Sequence, residues 1–164
     1  MKAVAWLGLL AAVVVTKADD TQAGLLRAVT DAGFGACKSA VKEDFNDYFT
    51  TTGVSGSIEI IVQGRKTFQV IAAWGTSGDT AQQQVVFEQA GDRCAAYSSV
   101  QISFGQSCMK YLGANPAWKP REVVGDIVWT KADGGKRALA RGLPGGGCSI
   151  TYFTSRSYHM DKVK

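Results

Sequence analysis

Lys2 is followed by thirteen uncharged residues, Ala3 to Val15, and then by Thr16-Lys17-Ala18. A cationic start, a short apolar run and small residues at a cut site mark an export leader. The leader is predicted over residues 1–18, with cleavage after Ala18. The run falls short of the ~20 apolar residues that cross a bilayer, and no later segment of the sequence reaches that length. The rest of the chain holds four cysteines. In an oxidising compartment an even number of cysteines becomes disulfides. Two cross-links are expected, and each fixes two distant points of the chain whatever else it folds into.

Residues 19–164 would remain as the mature protein, a length that suits a single domain. Without Lys2 and Lys17 the mature chain has 16 basic and 14 acidic side chains, a net charge of about +2. Lys and Arg are scattered along it, which argues against nucleic acid as the partner, because a polyanion selects a dense basic stripe. Four cysteines allow three pairings. Cys94–Cys108 closes a short loop and Cys37–Cys148 a long one, and this is the pairing expected. A zinc site is disfavoured: no two cysteines have metal-ligand spacing, and His159 is the only histidine. No metal or other cofactor is expected.

Hydrophobic periodicity orders the domain. Ala36, Ala40, Val41, Phe45, Tyr48 and Phe49 recur at helical spacing, with Lys38, Lys42, Glu43, Asp44 and Asp47 on the opposite side, which predicts one long amphipathic helix. Gly33 and Gly35 separate it from a short helical turn around Leu25-Leu26. From Ser57 the period becomes two, predicting strands from Ser57, over Thr67–Trp74, Gln84–Gln89 and Cys94–Ile102. Hairpin turns at Gln63–Lys66 and Ala90–Arg93 join them. A short second helix is expected within Phe104–Leu112, and then a loop through Asn115-Pro116 and Lys119-Pro120 that no regular element should cross. Strands resume at Val123–Thr130, Arg137–Arg141 and Ser149–Thr154, with a turn at Asp133-Gly134-Gly135. The expectation is an α+β domain, an antiparallel sheet of about seven strands with the long helix packed on one face.

Catalytic constellations are thin. A histidine base would have to be His159, which sits in a charged tail. Glu59, Glu88 and Asp126 all fall in predicted strands and are the candidates for paired-carboxylate hydrolysis. Leu143-Pro144-Gly145-Gly146-Gly147-Cys148 lacks the lysine and hydroxyl residue of a phosphate-binding loop, and reads as a strand connection ending in a disulfide. Trp74 and Trp129 fall in strands and are assigned to the core, whereas Trp118 lies in the proline-bounded loop and is a candidate for partner contact. Candidate binding residues sit on two hairpin tips: Val62, Gln63, Gly64 and Arg65 on the first, Gly91, Asp92 and Arg93 on the second.

A helix followed by Ile60-Ile61-Val62-Gln63-Gly64 and a strand ending Ala72-Ala73-Trp74-Gly75 resembles the cystatin family of cysteine-protease inhibitors over residues 36–103. That family wraps a sheet around one helix and inserts a Gln-x-Val-x-Gly hairpin into the protease cleft. Val62 and Gly64 match the signature; Ile60 stands where the family has glutamine, and Ala90–Arg93 where its second hairpin carries Pro-Trp. Export, disulfide-braced hairpins and the lack of a strong catalytic cluster favour a secreted or periplasmic protein-binding module; its most concrete form, in line with the resemblance, is an inhibitor of an extracellular hydrolase or protease. The alternatives are a small secreted hydrolase using carboxylates and a structural envelope protein. The two tips are expected side by side, because an antiparallel meander returns alternate turns to the same edge.

Overall fold

The computed structural model describes residues 12–16, 21–53, 55–132 and 136–161. Strands β1 (Ala12–Thr16), β2 (Ser55–Val62), β3 (Thr67–Thr76), β4 (Asp79–Ala90), β5 (Arg93–Phe104), β6 (Trp118–Val124), β7 (Ile127–Ala132), β8 (Arg137–Gly142) and β9 (Cys148–His159) form one sheet. Its order is β1-β2-β3-β4-β5-β9-β8-β7-β6, and every pairing is antiparallel. Helices α1 (Thr21–Val29), α2 (Lys38–Asp44), α3 (Asn46–Thr50) and α4 (Cys108–Ala114) complete the fold. The architecture is α+β. Among the described residues no helix is long and apolar enough to cross a membrane.

The sheet has nine strands, two more than the sequence suggested. One addition is β1, which lies within the expected leader; the remainder of the 1–18 segment is outside the described residues, as is the Asp133–Gly135 turn. The other is β6, which runs through Pro120 in the stretch read as loop. An outermost strand tolerates proline because the missing N–H costs no ladder bond when it faces outward. The expected Val123–Thr130 strand is in fact two strands, folded back at Gly125, whose φ of 61° suits the turn. Leu139 and Trp129 share a register row on the sheet face opposite the helices, so Trp129 is 39% exposed and does not belong to the core.

The long helix is likewise interrupted. α2 and α3 are split at Phe45, whose φ of −100° and ψ of 16° lie outside the helical range, and Gly33 at φ 89° separates them from α1. The three segments still bury one apolar side. Leu25, Val29, Phe34, Val41, Phe45 and Tyr48 pack onto Ile58, Ile60, Phe68, Val70, Val85 and Phe87, all of them nearly inaccessible. Phe68 stacks on Phe87 at 4.9 Å and meets Phe34 at 4.4 Å between ring centroids. Burying each such ring contributes roughly 1.5–3 kcal/mol. A second, smaller cluster lies under α4, where Leu112 covers Ala138, Ala140 and Ile150.

Each cluster has its own disulfide. Cys37 joins Cys94, and Cys108 joins Cys148, which corrects the expected pairing. Cys94 is the second residue of β5 and Cys108 follows its far end, so the ten residue steps from Cys94 to Phe104 alone span about 34 Å of extended chain. A disulfide needs Cα atoms within about 7 Å. Cys148 instead stands opposite Phe104 in the β5–β9 register, which brings it beneath α4.

Peptide mapping under non-reducing conditions should recover Cys37–Cys94 and Cys108–Cys148. Replacing both Cys37 and Cys94 with alanine should cost about 4 kcal/mol on the chain-entropy scale, since the link spans 57 residues of sequence. A loss below about 1 kcal/mol would show that the α1–α3 layer holds without it.

Candidate functional site

The two hairpin tips do lie on one edge. The β2–β3 turn and the β4–β5 turn are bridged by the Gln89 N–H, which donates to the Lys66 carbonyl at 2.8 Å, and the Met160 N–H donates to the Asp92 carbonyl at 2.9 Å. Gly64, Arg65, Gly91 and Asp92 are exposed there. Their neighbours are engaged in the fold. Val62 packs against the first core cluster, and Gln63 donates from Nε2 to Gln69 Oε1 at 2.7 Å. Arg93 donates from Nε to Ser157 Oγ at 2.6 Å and from Nη2 to the Ser157 carbonyl at 3.1 Å, with His159 Nε2 3.4 Å from Nη1. His159 is therefore the last residue of β9, not part of a tail. Trp118 opens β6 at the opposite edge of the sheet and packs against the α4 cluster, so it joins neither tip.

The three candidate carboxylates are not brought together. Glu59 pairs with Ile71 and Glu88 with Thr67, which places them two strands and four positions apart. Strand geometry puts that separation at about 17 Å, whereas glycoside chemistry needs roughly 5–10 Å. Asp126 lies in the β6–β7 turn, ion-paired to Arg141 at 2.7 Å. That bond holds its carboxyl below the usual range. Among the described residues no group of three His, Cys, Asp or Glu side chains could hold a metal.

A second site lies on the covered face, in a cleft of about 670 Å³. Alternation places Ala81, Gln83, Val85 and Phe87 of β4 on this face, with Cys94, Ala96, Ser98, Val100 and Ile102 of β5 and Ile150, Tyr152, Thr154, Arg156 and Tyr158 of β9. The face is apolar except at Gln83, Ser98, Thr154 and the β9 pair Arg156 and Tyr158. Ser98 is directly opposite Thr154, and Gln83 adjoins through Val100. Residues of α2 and α3, Trp74 and Lys136 line the cleft together with this face. Trp74 is held by an edge-on contact with Tyr48 at 5.5 Å.

Asp44, the last residue of α2, is the electrostatic centre. Its side chain is 3% exposed, and Arg156 Nη1 donates to Oδ1 at 3.3 Å. Oδ2 is buried without a hydrogen-bond partner. Burial raises the Asp44 carboxyl above its ordinary value, while the Tyr158 hydroxyl and Arg156 pull it back and Glu43 pushes it further up. Tyr158 is itself pushed up to about 12, chiefly by burial. Gln83 Nε2 donates to the Asp44 carbonyl at 2.7 Å and ties β4 to the point where the helix breaks. The cleft thus offers hydroxyls, an amide, a half-exposed guanidinium and an aromatic wall, a set suited to recognising a small polar molecule. Sequence reasoning passed over it, although the signal was present: polar residues in the apolar phase of three strands that pair with one another.

A carboxyl whose folded pKa exceeds its unfolded value binds more protons in the folded state, so its contribution to stability falls as pH rises through that interval. Asp44 should therefore lower stability over the interval immediately above pH 3.8. The Asp44→Asn variant should lack that decline, so the difference between wild-type and variant unfolding free energies, measured by urea titration at several pH values, should change there. A pH-independent difference would mean that Arg156 and Tyr158 fully offset the burial. No protein-family model matches this chain, and neither a curated protein nor a solved structure matches it significantly.

Proposed function

We propose that the chain is exported and acts as a binding module for another protein, gripped at the edge formed by Gly64-Arg65 and Gly91-Asp92. The observation that carries this reading is the Gln89–Lys66 hydrogen bond, which couples the two tips. Turns already held in one geometry lose little entropy on binding, and glycine lets a partner's backbone approach closely. The leader pattern and the two disulfides support a secreted or periplasmic location. Inhibition of an extracellular hydrolase or protease is the concrete version, in keeping with the cystatin-like order of helix and hairpins. The wide spacing of Glu59, Glu88 and Asp126 speaks against the carboxylate-hydrolase alternative, and no residue speaks for a structural envelope role.

A second reading rests on the cleft. The polar group Gln83, Ser98, Thr154 and Arg156 in an otherwise apolar face favours a small polar ligand there.

Affinity capture from the native secreted fraction supplies the partner for the test. The Arg65→Ala, Asp92→Ala double variant should bind it at least tenfold more weakly with an unchanged melting temperature, since exposed substitutions usually alter stability by less than about 0.5 kcal/mol. Unchanged affinity would remove the tips from the interface. If Gln83→Leu weakened capture instead, the cleft would be the site.

A further inference from the structure

The edge at β6 differs from the one that β2 would present without β1. β6 carries Lys119, Pro120, Arg121 and Glu122, and its pairing slips between Pro120 and Glu122. Charges, proline and an irregularity are the devices that keep an edge from recruiting another strand. β2 has none of these along its length except the single charge of Glu59, and it contains Ile58, Ile60, Ile61 and Val62. Its outer side is taken by β1 in antiparallel register, with Val13 opposite Ile60, Val14 opposite Glu59 and Val15 opposite Ile58. Those β1 residues belong to the segment that export would remove.

We propose that cleavage after Ala18 uncovers the β2 edge and that this edge takes an extended strand of the partner protein, antiparallel and in the place of residues 12–16. The inference rests on the export and protein-binding readings above and deepens them. Strand addition to an open sheet edge supplies affinity through main-chain hydrogen bonds and specificity through alternate side chains. The required occupant follows from the register: about five uncharged residues, most of them β-branched, with an apolar one opposite Glu59. A second copy of this chain fits poorly. Full antiparallel overlap of two β2 strands with their covered faces aligned sets the two Glu59 side chains opposite or diagonal to each other, which is repulsive. β2 also runs directly into the Gln63–Lys66 turn, so an added strand would be continuous with the tips.

The test uses the exported protein, its first residue determined by N-terminal sequencing, and a synthetic peptide of sequence 10–17 as the probe. The exported chain should begin at Asp19. The peptide should slow amide hydrogen exchange across residues 55–62 by at least tenfold and leave residues 118–124 unchanged. Ile61→Lys, on the face away from the helices, should abolish that protection without altering the melting temperature. An exported chain that retains residues 12–16 would overturn both the export reading and this inference. A chain that begins at Asp19 but gains no protection from millimolar peptide, or keeps full protection in the Ile61→Lys variant, would overturn the edge inference alone. Dimerisation with 55–62 protected in the absence of peptide would assign the edge to a second copy and equally overturn it.

Discussion

β5 works as the spine to which both helical layers are fastened. One end carries Cys94, bonded to Cys37 at the entry to α2; at the other end Phe104 pairs with Cys148, bonded to Cys108 at the start of α4. A nine-stranded sheet exposes more apolar face than one short helical layer can bury, and the chain answers with two layers at the two ends of one face. A sheet face left to water would lose roughly 25 cal/mol for each Å² of apolar surface. The helices alone are too short to be stable in isolation. Their order depends on packing against the sheet and on the two covalent anchors.

The cleft is a consequence of that arrangement. Between the α1–α3 layer and the α4 layer, the apolar phase of β4, β5 and β9 gives way to Gln83, Ser98 and Thr154, and Gln83 is tied to the end of α2. Asp44 and Arg156 meet at its wall as a charged pair of unequal exposure, the carboxylate buried and the guanidinium 47% exposed. Removing one partner of such a pair leaves the other without compensation. The chain beyond β9 closes the α2 side: Asp161 accepts from the Ser39 backbone and hydroxyl, and its own N–H donates to the Ala36 carbonyl at 2.8 Å.

Local order was legible where one periodicity ran unbroken. The apolar stripe through Val41, Phe45 and Tyr48 pointed correctly to a helix layer, and the period of two over Thr67–Trp74 to a strand. The turns at Gly64 and Gly91 were visible because their residues are turn formers. The break at Phe45 was hidden, since an aromatic residue that fits the apolar stripe carries no sign of a helix end. β6 was hidden because proline ordinarily excludes a strand and only its position at the sheet edge permits one. The disulfide pairing was out of reach, as it depends on β9 returning beside β5 rather than on any local feature. The cleft residues were present in the sequence but had meaning only once the registers placed Ser98 beside Thr154.

The central claim is that the two helical layers are fastened separately to the sheet. Native-state hydrogen exchange on the Cys37→Ala, Cys94→Ala variant tests it most directly. The account predicts that amides of α1, α2 and α3 lose protection while those of α4 and β8 keep theirs. Loss of protection in both layers together would contradict it and would mean that the face is covered by one cooperative unit.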